Sequence, residues 1–161
     1  MKTFHANGKG KIMRIAIGSD HAGFPLKGVL MNGIRAMGHE VMDQGSYDPE
    51  PVDFPDITKL VAEAVLNGVA DRGIMVCGTG VGACIAANKI PGIRAAVCHD
   101  IYTAHQCVEH DNVNVICFGA QIIGPSVAIE LIEKFLAAEF STAEEFRRRV
   151  DKLHEMDKLR N

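Results

Sequence analysis

The sequence predicts a doubly wound, three-layer α/β domain with a five-stranded parallel sheet at its centre. Three observations predict it. Short β-rich runs alternate with longer stretches of helical periodicity along nearly the whole chain. The run Gly73–Cys77 is continuously apolar, as a strand covered on both faces must be. The chain has 161 residues with no repeat, low-complexity segment or linker, which suits one domain with a real core.

The elements follow in order. The first strand reads Met13–Gly18. A helix follows, with Phe24, Leu26, Leu30, Ile34 and Met37 near helical spacing and Gly38 at its end. The second strand is His39–Asp43, and the loop Gln44–Pro55 carries Gly45, Pro49, Pro51 and Pro55. A helix over Asp56–Asn67 precedes the third strand, Gly73–Cys77. The segment Gly78-Thr-Gly-Val-Gly82 opens a helix over Ala83–Lys89. Strand Ile93–Cys98, helix Ile101–Glu109, strand Val113–Phe118 and helix Pro125–Ala138 complete the alternation. A last helix, Thr142–Leu159, starts with a capping-box pattern of Ser141 or Thr142 with Glu144 or Glu145. Strands separated by helices imply parallel pairing and βαβ crossovers. The narrow stripe Phe146, Val150 and Leu153 implies packing across the domain or onto another subunit, a dimer being the natural partner.

Composition excludes several classes. A net charge of −3 argues against a general nucleic-acid binder, and Arg147–Arg149 is the single basic run, either a patch or a solvated helix face. No apolar run approaches the roughly 18 residues of a membrane span. Residues 1–12 read as an extension ahead of a domain over 13–161, with Met13 an alternative start. Five cysteines, an odd number without a CxxC pair, fit free thiols in the reducing cytoplasm.

Ligands in such folds bind beyond the carboxyl ends of the strands. Those ends carry Ser19-Asp20-His21, Asp43, Cys77-Gly78-Thr79, His99-Asp100 and Gly119. Glycines between a strand and a helix expose N–H groups that gather an anion, and the same field favours a thiolate. A thiolate beside such donors suits enediolate chemistry, in which one group removes a proton next to a carbonyl and the donors hold the oxyanion. Competing motifs fail on spacing. Gly82 is followed by Ala83-Cys84 rather than Lys-Ser/Thr, and glycines at 78, 80 and 82 do not make GxGxxG. A buried strand-end Cys before a tight turn is the plainer alternative. Asp20-His21 reads either as an acceptor with an acid–base partner or as a cap beside a surface His. His105 and His110 lack the i,i+4 spacing of a helical metal pair, so no metal site is expected. His110, before the fifth strand, reads as functional, near the ligand side or a subunit boundary.

With these pieces in place the chain resembles the ribose-5-phosphate isomerase B family, which includes the galactose-6-phosphate isomerase subunits. The resemblance rests on Gly18-Ser-Asp-His-Ala-Gly-Phe24, Pro51-Val-Asp-Phe-Pro-Asp56, Cys77-Gly-Thr-Gly-Val-Gly82 and Ile85-Ala-Ala-Asn-Lys-Ile-Pro-Gly-Ile-Arg-Ala95. It implies a Rossmann-like fold and a cofactor-free aldose–ketose isomerase acting on a sugar phosphate. It further implies a homodimer or dimer of dimers with shared sites and the last helix on the partner subunit. Cys77 would be the base, with Thr79 and the amides of Gly78, Gly80 and Gly82 on the enediolate oxygens. Asp20 and the partner copy's His110, flanked by Asp111, would open the sugar ring, and His21 would touch the phosphate. The pattern departs where the family has a phosphate-binding Arg and this chain has Gln121. The family's paired arginines on the last helix become Glu145 and Arg149, or Glu144 and Arg148 on a gap-free alignment. Helix geometry favours Arg149, with which Glu145 can pair. The resemblance therefore implies a weakened phosphate half and poor use of ribose 5-phosphate. A non-catalytic sugar-phosphate binder, or an isomerase for a different or unphosphorylated sugar, is the alternative.

Overall fold

The computed structural model describes residues 11–160. Most of the expected extension over residues 1–12 lies outside the described residues. The chain runs β1 (Arg14–Ser19), α1 (Phe24–Ala36), β2 (Glu40–Asp43), α2 (Phe54–Leu66), β3 (Arg72–Cys77) and α3 (Val81–Asn88). It continues through β4 (Ala95–Val97), α4 (Ile101–Asp111), β5 (Val115–Gly119), α5 (Pro125–Ala137), α6 (Glu144–Asp157) and a 3₁₀ turn over Lys158–Arg160. The five strands pair in parallel in the order β2-β1-β3-β5-β4.

The pleat sends alternate residues to opposite faces, and this builds two cores. Ile15, Ile17, Ile74, Val76, Ile116 and Phe118 pack with α1, α4 and α5 through Leu30, Val108, Leu131 and Phe135. Ala16, Met75, Cys77, Val115 and Cys117 pack with α2 and α3 through Val61, Ala83 and Ala87. The continuous apolar run of β3 is explained by this double covering.

Boundaries shift where side chains compete with the ladder. Helix α2 begins at Phe54, because Pro55 fits the first turn, where its missing N–H costs nothing. Strand β4 shortens to three residues, Ala95–Val97. Asn88 takes both main-chain groups of Ala95, accepting its N–H and donating to its C=O, each at 2.9 Å. Helix α4 runs on to Asp111 and stops at Asn112, which takes the left-handed conformation (φ 50°) that Asn tolerates at helix ends.

The expected capping box on the last helix does not form. Helix α6 starts after Ala143 with no side-chain cap, and Ser141 Oγ instead accepts the Ala143 N–H at 3.1 Å. Helix α6 docks on its own chain through buried Val150 and through Phe146, while Leu153 stays 40% exposed. Its far end is tied down by His154 against Arg94 and by Asp157, which accepts the Gly92 N–H at 2.9 Å. Among the described residues no helix is long and apolar enough to cross a membrane.

Candidate active site

The carboxyl end of the sheet collects Asp20, Cys77, His99 and Gly119. Helix α1 enters directly over β3, since a Cβ on Gly23 would lie 2.1 Å from the Val76 carbonyl oxygen. Asp20 is only 7% exposed, and its Oδ1 accepts the Gly23 N–H at 2.9 Å. It therefore caps the turn into α1 while its carboxyl group lies beside β3.

Cys77 ends β3 at 4% exposure, and its Sγ accepts the Gly80 N–H at 3.1 Å. Gly80 holds φ 80°, which lets the loop turn back on the thiol at no steric cost. The loop lies backbone to backbone on β5. A Cβ on Gly119 would stand 2.7 Å from Thr79 Cα, and a Cβ on Gly80 3.0 Å from the Phe118 carbonyl carbon. The Gln121 N–H donates to the Gly78 carbonyl at 3.0 Å, and the Gln121 side-chain amide lies over Gly78. Gly82 abuts the Phe54 ring. His21 is exposed and accepts the Val52 N–H at Nδ1, 3.4 Å away.

Two further residues support this end. His99 Nε2 accepts the Gly119 N–H at 2.9 Å. Burial holds its imidazole below the ordinary range, against the pull of Asp100, so the proton of the neutral ring sits on Nδ1. Lys27 is 2% exposed and bonds Asp43 Oδ1 at 2.6 Å and the Ser46 carbonyl. The Gly45–Ser46 segment in turn pairs with Ser19 in both directions, fixing the backbone just before Asp20. Sequence reading missed Lys27, although a cation in line with Leu30 and Ile34 on an apolar helix stripe is a signal of a buried partner.

The other expected residues lie elsewhere. Helix α4 leaves the carboxyl end after Asp100 and runs back about 16 Å to the amino end of β5. His110 and Asp111 thus sit at the opposite end of the sheet from Cys77, not on its ligand side. The fold sends α4 there because a parallel crossover must return the chain to the start of the next strand. The His110 ring stacks on Phe146 at 3.9 Å and 16°, and its Nδ1 lies 2.7 Å from Gln106 Nε2. The Arg149 guanidinium stands 5.6 Å over Phe146. Arg148 instead pairs with Glu144 at 3.7 Å on the exposed side of α6. Among the described residues that is the ion pair α6 forms near its start, rather than Glu145 with Arg149. A cleft of about 450 Å³ beside His110 is lined by Glu109, Ala137, Ala138, Glu139 and Ser141. No group of three or more metal-ligating side chains occurs among the described residues. One chain therefore carries a polar cluster at each end of its sheet.

A family model described as ribose/galactose isomerase matches residues 15–153. A ribose-5-P isomerase B of Listeria innocua is 41% identical over 145 residues, covering 90% of this chain and 97% of that protein. A D-erythrulose-4-phosphate isomerase of Pectobacterium atrosepticum is 45% identical over 131 residues, covering 80% of this chain and 86% of that protein. The solved structure of a Clostridium thermocellum ribose-5-phosphate isomerase B superposes with a TM-score of 0.90 at 44% identity. It covers 92% of this chain and all of that one.

Proposed function

The chain belongs to the ribose/galactose isomerase family, and from that premise we propose a cofactor-independent aldose–ketose isomerase of a sugar phosphate with Cys77 as its base. The observation that carries the reading is the Cys77 Sγ at the head of the glycine loop, accepting the Gly80 N–H at 3.1 Å. The thiolate is the form of a cysteine that removes a proton, and the loop brings a donor to the same sulfur.

The Cys77 thiolate takes the proton from C2 of the open-chain aldose. The electron pair moves into the C1–C2 bond, and the carbonyl becomes an enediolate. Thr79 and the amides of Gly78 and Gly82 hold its oxygens, while the Gly80 N–H stays on the sulfur. A proton passes from O2 to O1, and Cys77 returns its proton to C1, leaving the ketose. Asp20 and His110 open a cyclic substrate beforehand, with His110 and Arg149 supplied by a second copy of the chain. The position of His110 at the far end of its own sheet supports this sharing. His21 and Arg149 face the phosphate.

The substrate is a pentose 5-phosphate or a related tetrose or hexose phosphate. Gln121 and Glu145 bring less positive charge than a dianion attracts, and the Pectobacterium relative is named for a four-carbon phosphate. The weakened charge lowers affinity for any phosphate, and the name of that relative puts a tetrose phosphate beside ribose 5-phosphate as a candidate. Cys77→Ser is expected to lower kcat at least about a hundredfold with the fold intact, and to stop solvent deuterium entering the product. Near-normal turnover in that variant would remove Cys77 from the mechanism.

A further inference from the structure

We infer that Gln106 is a positioning residue: it holds Nδ1 of His110, so that Nε2 is the ring nitrogen offered to the sugar. The inference rests on the reading that His110 opens the substrate ring. Gln106 and His110 are one helical turn apart on α4, and their side chains meet at 2.7 Å. Phe146 covers one face of the imidazole, stacked at 3.9 Å. With one face stacked and Nδ1 engaged, the edge bearing Nε2 is what remains for a ligand.

The neutral amide matters as much as its place. Opening a furanose takes a proton from the anomeric hydroxyl and gives one to the ring oxygen. A group that serves this exchange must change protonation state without leaving its seat. An amide can turn either its NH₂ or its oxygen toward Nδ1, so it partners the neutral ring and the imidazolium alike. A carboxylate in its place would hold the imidazolium. The other charges near the ring are Glu109 and Glu139 along the cleft, Asp111 next in sequence and Arg149 over Phe146. Glu109 is already engaged by His105 at 3.2 Å.

Chain length of the sugar separates this role from mere structure. Ribose 5-phosphate closes a furanose through its C4 hydroxyl. Erythrose 4-phosphate carries its phosphate on that oxygen and cannot close the ring, so it needs no opening step. The test uses the full chain and the variants Gln106→Leu, Gln106→Glu and His110→Ala. Gln106→Leu is expected to lose about tenfold or more in kcat/KM on ribose 5-phosphate, and less than about twofold on erythrose 4-phosphate. In ¹⁵N-histidine NMR titrations, Gln106→Glu is expected to move the His110 midpoint up by about one unit or more. An equal loss on both sugars, or an unmoved midpoint, would overturn the inference. The NMR arm reads the contact even where turnover of the pentose is slow. Retained ribose 5-phosphate turnover in His110→Ala defeats the ring-opening reading itself. An inactive His110→Ala beside an unaffected Gln106→Leu defeats the role of Gln106 alone.

Discussion

Replacing Gly119 by alanine is expected to uncouple catalysis from folding, because the added methyl group meets main chain rather than a movable side chain. The new Cβ would stand 2.7 Å from Thr79 Cα and from its carbonyl carbon, and 2.7 Å from Ile122 Cγ1. Ordinary contact begins near 3.4 Å, so the Thr79 backbone must retreat by about 0.7 Å. Ile122 can rotate aside, whereas Thr79 takes the loop with it. Taken wholly along the contact, a shift of that size stretches the Gly80 N–H to Cys77 Sγ distance from 3.1 Å to about 3.8 Å, which weakens it. It also moves the Thr79 hydroxyl, which the proposed mechanism sets on the enediolate oxygens. Misplacement on this scale costs about 10- to 100-fold in kcat/KM, or roughly 1.4–2.7 kcal/mol of transition-state binding. The stability cost of overpacking is about 1–3 kcal/mol. Steady-state kinetics at a temperature where calorimetry shows the variant folded would measure both. A folded variant with kcat/KM within twofold of wild type would refute the claim that the β5 backbone sets the loop.

Other perturbations test other parts of the structure. Mixing inactive Cys77→Ala and His110→Ala chains under subunit exchange is expected to recover activity, and verified heterodimers that stay dead would end the shared-site model. Gln121→Arg combined with Glu145→Arg is expected to raise kcat/KM on ribose 5-phosphate at least about tenfold, near 1.4 kcal/mol, with no gain meaning that the phosphate is held elsewhere. Lys27→Met leaves Asp43 and the Ser46 carbonyl without their cation and should cost about 3 kcal/mol in urea unfolding, the low end for a buried pair because Asp43 keeps some water. The Cys84 thiol is lowered to about 7, chiefly by the hydrogen bond from Cys117. In a Cys77→Ser background its alkylation should rise with pH through about 7, and a flat rate would contradict that contact.

Sequence patterns carried the layers well, since the two cores follow period-2 strands and helical stripes that can be read directly. The thiol, its glycine loop and the Asp20-His21 pair were legible because strand ends and glycines announce themselves locally. Of the two places open to His110, the ligand side of its own sheet or a subunit boundary, the direction of α4 leaves the second. The missing capping box shows a different limit: Ser141 had a nearer N–H to bind at Ala143, and four residues of pattern do not decide between them. The stacking of Phe146 on His110 and the bond from Gly119 to His99 could not be read from sequence, because each is a contact across elements. Helix phase separates Arg149 from Arg148 in the sequence, and in the structure Arg149 lies over the Phe146 ring while Arg148 pairs with Glu144.

The Asn88 side chain that closes on Ala95 has a consequence for how copies of this chain can meet. Strand β4 is a sheet edge, and an edge offers unpaired amides and carbonyls to any strand that drifts alongside. Ala95 turns its outward pair toward solvent, and the amide of Asn88 fills both positions as a foreign backbone would. The remaining edge is too short for a second strand to grip. At this edge the sheet is thereby closed to extension by another chain, the route to aggregates.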